Sequence, residues 1–181
     1  EDNKLTCNLL NDFFASVYTD EDLRDIPEVN NMFNGDEGDE LNNIELTKDE
    51  ILNKIMKLKD GKAPVDDGFT PFFLKNIAEV ICEPLQIIFQ ESVNSGNVPL
   101  NWRANVTPLF KKGLKCDPGN YRPVSLTSHL GKILESLLKD KILVHLKKFK
   151  LIRDSQHGFM ARWSCFTNLL TIYFQFDRLK P

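Results

Sequence analysis

The chain is poor in the residues that build metal and redox sites. Its four cysteines, Cys7, Cys82, Cys116 and Cys165, stand far apart, and no C-x-x-C pair occurs in the 181 residues. That spacing argues against a zinc knuckle and reads as reduced thiols of an intracellular protein, nuclear or cytoplasmic. Histidine is scarcer still, with 3 residues. No Cys or second His lies at ligand spacing from His129 or His145, so both are expected at the surface of a helix and no metal site is expected. No apolar run is long enough to span a bilayer and no signal peptide opens the chain, so no membrane partner is expected. The chain begins at Glu1 without an initiator methionine, as an excised segment or an incomplete reading frame would.

The net charge of −3 conceals a split. Residues 1–50 carry 15 acidic and 3 basic side chains, whereas residues 51–181 carry 11 acidic and 20 basic. An acidic, Asn-rich start with few aromatics has the composition of a linker, while the basic remainder suits a phosphate backbone. The plainer reading of the basic part is a set of solvated helix faces bearing Lys139, Lys141, Lys147, Lys148 and Lys150. Two segments are therefore expected: 1–45, an acidic linker with one short helix, and 46–181, a partial globular domain with a modest core.

Periodicity fills in a mainly helical α+β chain. Leu9 to Tyr18 has helical apolar spacing, and Thr19 to Asn43 reads as a flexible, acidic connector. Thr47 opens a helix with a capping box closed by Glu50, its buried stripe being Ile51, Ile55 and Leu58. Thr70 and Pro71 start the next, with Phe73, Leu74, Ile77, Ile81, Leu85, Ile88 and Phe89 inward, Pro84 kinking or dividing it and Gly96 closing it. A helix capped by Thr127 or Ser128 runs to about Phe149, with Leu130, Ile133, Leu134, Leu137, Leu138 and Leu146 inward. Ser164 caps a last helix, Cys165 to Arg178, with Leu169, Leu170, Ile172, Tyr173 and Phe176 mostly in the core.

The most informative stretch is Asn105 to Ser128, NVTPLFKKGLKCDPGNYRPVSLTS. Val106, Leu109 and Phe110 are strand-prone, Gly113 to Asn120 holds Asp-Pro-Gly turn chemistry, and Val124 to Leu126 returns as a second strand. The product is a basic β-hairpin. Lys111, Lys112 and Arg122 project from it, and a guanidinium can bind phosphate through two parallel hydrogen bonds. A solvated hairpin kept soluble by its lysines is the plainer alternative.

The residues around these cations resemble two fingers motifs of the reverse transcriptases of non-LTR (LINE-type) retrotransposons, W-[KR]-x-A-x-V-x-P-[LI]-[FY]-K-K-G and D-P-x-N-[YF]-R-P-[IV]-S-L. They stand here from Trp102 to Gly113 and from Asp117 to Leu126. Upstream, KAPVDDGF at Lys62 to Phe69 resembles the family's K-[AS]-P-G-P-D-G-[FI] loop. Downstream, GKILE at Gly131 to Glu135 and QHGFMARWSCFTNLL at Gln156 to Leu170 resemble its G-K-[IL]-[LF]-E and Q-x-G-F-R-x-G-R-S segments. The order is shared across about Leu46 to Leu170.

The resemblance implies a reverse-transcriptase fingers fragment with the palm absent. It assigns Lys111 or Lys112 and Arg122 to the triphosphate of an incoming nucleotide, and Lys62, Gln156, Gly158 and Arg162 to template RNA. It implies an RNA template or RNA/DNA hybrid as partner, together with the missing palm and thumb of the parent polymerase. Magnesium belongs to the full-length family, whose ions sit on carboxylates of a D-F-x-x-A-F-D strand and a [YF]-x-D-D turn. Neither string occurs here. Hence no catalytic residue and no cofactor are assigned to this chain; Asp66-Asp67 reads as a solvated turn. Val65 and Asp66 replace the loop's Gly and Pro, and Arg162 and Trp163 replace a Gly and an Arg, which fits a decayed copy. Two alternatives to an inactive polymerase fragment stand beside it: a non-enzymatic RNA-binding module derived from a retroelement, and a decayed copy with no function.

Overall fold

The computed structural model describes residues 2–19, 32–61 and 68–177, which form six helices and one two-stranded antiparallel sheet. The order is α1 (Asn3–Ser16), α2 (Lys48–Met56), α3 (Pro71–Asn76), α4 (Ala78–Ser95), β1 (Asn105–Phe110), β2 (Tyr121–Leu126), α5 (His129–Lys148) and α6 (Cys165–Asp177). Two compact units result, one of residues 1–29 and 43–139, the other of residues 30–42 and 140–181.

Local chemistry fixes most helix starts. The Asp2 carboxylate accepts the Lys4 amide at 3.0 Å, so α1 begins six residues before the expected Leu9. Thr47 and Glu50 form the expected capping box, each side chain accepting the other's backbone N–H. Thr70 caps α3 through the Phe73 amide with Pro71 behind it, and Ser128 caps α5 through the Gly131 amide at 2.9 Å. Gly131 lies close under that cap. A Cβ there would approach the Ser128 hydroxyl to 3.1 Å.

The core of the first unit is one cluster. Ile51 and Ile55 of α2 and Leu74 of α3 meet Ala78, Cys82, Leu85 and Phe89 of α4 and Leu130, Ile133, Leu134 and Leu137 of α5. Their i, i+3 and i+4 spacings put one stripe per helix inward. Residues 44–46 are laid on α4 as extended backbone: Gln90 accepts the Leu46 N–H and donates to the Ile44 carbonyl, and Gln86 donates to the Leu46 carbonyl. Pro84 does not divide the long helix. The division falls at Ile77, and Pro84 sits inside α4 on the exposed side with Val80, so the carbonyl it leaves without a donor is on the watered face. His129 is buried among these helices at 3% exposure, a correction to its expected surface position.

In the second unit, the end of α5 closes as a Schellman motif. The Leu151 amide returns to the Leu146 carbonyl at 2.9 Å, and Lys150 takes the left-handed position at φ 53°. Phe33 packs on His145 and Phe149, with ring centroids 5.7 and 4.9 Å away, and Lys148 binds Asp39 at 2.7 Å. The later part of the expected connector is thus tied to a helix; its residues 20–31 lie outside the described ones. Helix α6 is the larger departure. Leu169, Leu170, Ile172 and Tyr173, expected in the core, are all exposed, Leu169 at 65% and Tyr173 at 63%; the Phe176 side chain lies outside the described ones.

Candidate nucleic-acid interface

The hairpin is rooted in the core by one aromatic. Trp102 ends a 3₁₀ turn, Leu100–Trp102, three residues before the start of β1 at Asn105, and its ring meets buried Phe89 edge-on with centroids 5.4 Å apart. From that root both strands run out with every residue of β1 exposed and only Tyr121 of β2 half-covered.

The register places Phe110 opposite Tyr121, Leu109 opposite Arg122 and Pro108 opposite Pro123. The Lys111 amide donates to the Asn120 carbonyl at 2.8 Å, so by the alternation of an antiparallel ladder Leu109 and Arg122 form a hydrogen-bonded pair and the two prolines do not. The prolines therefore cost no ladder bond. Each instead removes a donor from an outer edge, which blunts both edges against further strand pairing. Alternation also places Thr107, Leu109, Lys111, Arg122 and Val124 on one face.

The loop is held by the residues that surround the cations in sequence. Asp117 accepts the Gly119 amide at 2.9 Å and the Asn120 side-chain amide at 3.2 Å, while Asn120 also donates to the Leu114 carbonyl. The Tyr121 hydroxyl donates to the Lys115 carbonyl at 2.8 Å, and its ring meets Phe110 edge-on at 5.5 Å. Gly113 has φ 95°, and the Asn120 side chain fills the place a Cβ would take, so no other residue fits there without strain. The Phe13 ring of α1 lies 3.7 Å from where a Gly119 Cβ would be, bracing the loop from outside. Lys111, Lys112 and Arg122 take no part in this bracing. All three are exposed, and among the described residues none has a carboxylate or hydrogen-bond partner for its side chain.

Lys62, with Val65 and Asp66, lies outside the described residues. Gln156, Gly158 and Arg162 lie in the second unit, described apart from the hairpin. Gln156 is exposed and its side-chain amide donates to the Gly158 carbonyl at 2.9 Å. Left-handed backbone falls not at Gly158 but at Phe159, φ 62°, and Arg162, φ 69°. Phe159 was not singled out by sequence, yet its ring is fully in solvent. An exposed aromatic ring and an exposed guanidinium thus stand three residues apart on left-handed backbone. Beside it, a 670 Å³ cleft is lined by Lys147, Lys150, Arg153, Gln156, Met160 and Trp163, among others. Below, His157 is 4% exposed, holds the Thr167 hydroxyl at 3.0 Å through Nδ1 and meets the Trp163 ring edge-on at 4.1 Å. It supports the loop from inside.

No family model matches the chain. Curated relatives do. Over 116 residues, 63% of the chain, it is 32% identical to an RNA-directed DNA polymerase from the mobile element jockey of Drosophila melanogaster. It is 27% identical over 101 residues, 54% of the chain, to a retrovirus-related Pol polyprotein from the type-1 retrotransposable element R1 of Bradysia coprophila. A probable RNA-directed DNA polymerase from the Drosophila melanogaster transposon X-element is 25% identical over 114 residues, 62% of the chain. The chain is a relative of LINE-type RNA-directed DNA polymerases. It spans 10–13% of the length of these three. Among the described residues no group of three or more His, Cys, Asp or Glu is placed to hold a metal ion, and no helix is long and apolar enough to cross a membrane.

Proposed function

We propose that the chain is the fingers portion of a LINE-type reverse transcriptase, one that grips nucleic acid and nucleotide phosphates without carrying the polymerase chemistry. The observation that supports this most is the division of labour in the hairpin. Asp117, Asn120 and Tyr121 spend their polar side-chain groups on the loop, whereas among the described residues the side chains of Lys111, Lys112 and Arg122 have no partner. In the parent enzyme these cations neutralise charge on the triphosphate and on the departing pyrophosphate. Gln156, Gly158 and Arg162, with Lys62, lie along template RNA or an RNA/DNA hybrid. The exposed apolar side of α6, with Phe166, Leu169, Tyr173 and Phe174, is where the palm and thumb of the parent polymerase pack. Residues 46–181 form the partial polymerase domain and 1–45 an acidic linker with one short helix, in a protein of the nucleus or cytoplasm. The carboxylates that would hold magnesium are not among the described residues, and no step through the metal is assigned to this chain.

A salt titration tests the reading. Single-stranded RNA should bind weakly, with little sequence preference and with steep salt dependence, and the variant K111A/K112A/R122A should lose about 0.7 of slope per lost contact, about 2 in all. An unchanged slope in the folded variant returns the three cations to ordinary surface charge.

A further inference from the structure

At the end of α5, within the second unit, three cations and a tryptophan line a single cleft of 670 Å³. Lys147 belongs to the last turn of the helix, Lys150 to the Schellman turn and Arg153 to the chain just past it. That turn reverses the chain, with the Lys150 amide on the Lys147 carbonyl and the Leu151 amide on the Leu146 carbonyl. Ile152 and Arg153 therefore line the same space as Leu146 and Lys147. Lys150 holds the left-handed position, φ 53°, that glycine usually fills. Lys148, between the first two cations, is spent on Asp39 at 2.7 Å. Lys147, Lys150 and Arg153 are all exposed, and among the described residues their side chains have no carboxylate or hydrogen-bond partner. One acid, Asp154, also lines the cleft and pairs with none of them.

The second observation is the apolar wall of the cleft. Trp163 is 45% exposed, and its ring is held on one side by buried His157, which meets it edge-on at 4.1 Å and is itself fixed by the Thr167 hydroxyl at 3.0 Å. Met160 and Ile152, both half-buried, line the cleft with it. The helix dipole by itself favours a lysine such as Lys147 in a last turn, but its reach accounts for neither Arg153 nor the tryptophan. Net positive charge beside a fixed, half-open aromatic ring selects a ligand that is anionic at one end and flat and apolar at the other. A bare polyanion would use the cations alone and leave the Trp163 wall in water.

We infer that this cleft takes one nucleotide unit, its base against the Trp163 ring and its phosphate among Lys147, Lys150 and Arg153. The unit is a residue of a single-stranded RNA or a free ribonucleotide, since both present the same base and phosphate. Where the polymerase motif has an arginine, Trp163 gives up a charge and supplies a stacking surface in its place. An RNA strand as the source rests on the proposed template role of Gln156, Gly158 and Arg162; the fit of the cleft to a base and a phosphate does not.

Trp163 reports on the cleft directly. In the full chain with Trp102→Phe it is the sole tryptophan, and its fluorescence is followed while a 20-nucleotide oligoadenylate, AMP or an abasic phosphodiester oligomer of the same length is added. The expected result is saturable quenching by oligoadenylate, by AMP or by both, and none by the abasic oligomer. Saturation should be at least tenfold weaker in K147A/K150G/R153A, where glycine suits the left-handed position. Quenching by oligoadenylate alone assigns the cleft to an RNA strand and by both to nucleotides in general; quenching by AMP alone assigns it to a free nucleotide and counts against the template role while the cleft stands. No quenching by either, equal quenching by the abasic oligomer, or undiminished affinity in the folded triple variant overturns the inference. The abasic comparison needs no cleft variant, so it decides the matter even if the triple variant does not fold. The hairpin variant K111A/K112A/R122A should keep the Trp163 response, so failure of the hairpin reading and failure of this one are told apart.

Discussion

Replacing Phe89 by Ala tests the joint on which the hairpin stands. Phe89 is fully buried, it is the largest side chain of the α4 stripe, and it carries the Trp102 ring. Truncating a buried Phe to Ala costs about 3–5 kcal/mol through lost transfer energy and the cavity left behind. A small domain holds about 5–15 kcal/mol in total, so the variant should remain folded with its margin cut severely. With a urea slope of about 2 kcal/mol per molar, the midpoint should fall by about 2 M. The measurement is clean in a Trp163→Phe background, where Trp102 is the sole tryptophan and its fluorescence reports the first unit. A double-mutant cycle with Trp102→Ala, its four members followed by far-ultraviolet circular dichroism because the Trp102→Ala variants carry no tryptophan, then isolates the ring pair, whose coupling should be about 0.5–1.5 kcal/mol. Because β1 begins just past Trp102, Phe89→Ala should also weaken RNA binding below the denaturation midpoint with all three hairpin cations intact. A stability loss under about 1 kcal/mol, or no coupling between the two rings, would refute the claim that the hairpin is rooted on Phe89.

Two further outcomes are expected. The hydrogen bond from Lys148 holds the Asp39 carboxyl below its ordinary 3.8, helped by the ammonium charge. Because the folded value is depressed, this contribution is present above the ordinary carboxylate range and lost as pH falls through the folded value. A ¹³C titration of Asp39 should thus give a midpoint under 3.8 that rises to the ordinary range in Lys148→Ala, and a midpoint unchanged by that variant counts against the pair. Given primed RNA template, magnesium or manganese and deoxynucleotides, the purified chain should incorporate nothing above a no-protein control. Protein-dependent extension by even a few nucleotides defeats the reading of a chain without polymerase chemistry.

Short-range chemistry was legible in the sequence by itself. The Thr47 capping box, Thr70 with Pro71, the Ser128 cap, the hairpin turn and the buried stripes of α2, α4 and α5 all depend on residues within a few positions of one another, so spacing carries them; Phe73 and Ile88, expected inward with Leu74, Leu85 and Phe89, are exposed instead. The hairpin motif likewise named the cations together with the residues that hold their loop. Tertiary structure decided everything that turns on which surface a neighbour covers. His129, with no ligand spacing around it, belongs at the surface on sequence grounds, but α5 turns it inward against α2 and leaves its Nε2 unpartnered. The apolar side of α6 carries the same periodic signal as a core stripe and yet lies open, because periodicity records that a face is apolar and not what lies against it. Phe33 and Asp39 sit in an acidic stretch whose composition promises little order, and they are held by side chains more than a hundred residues away, a contact no local pattern encodes.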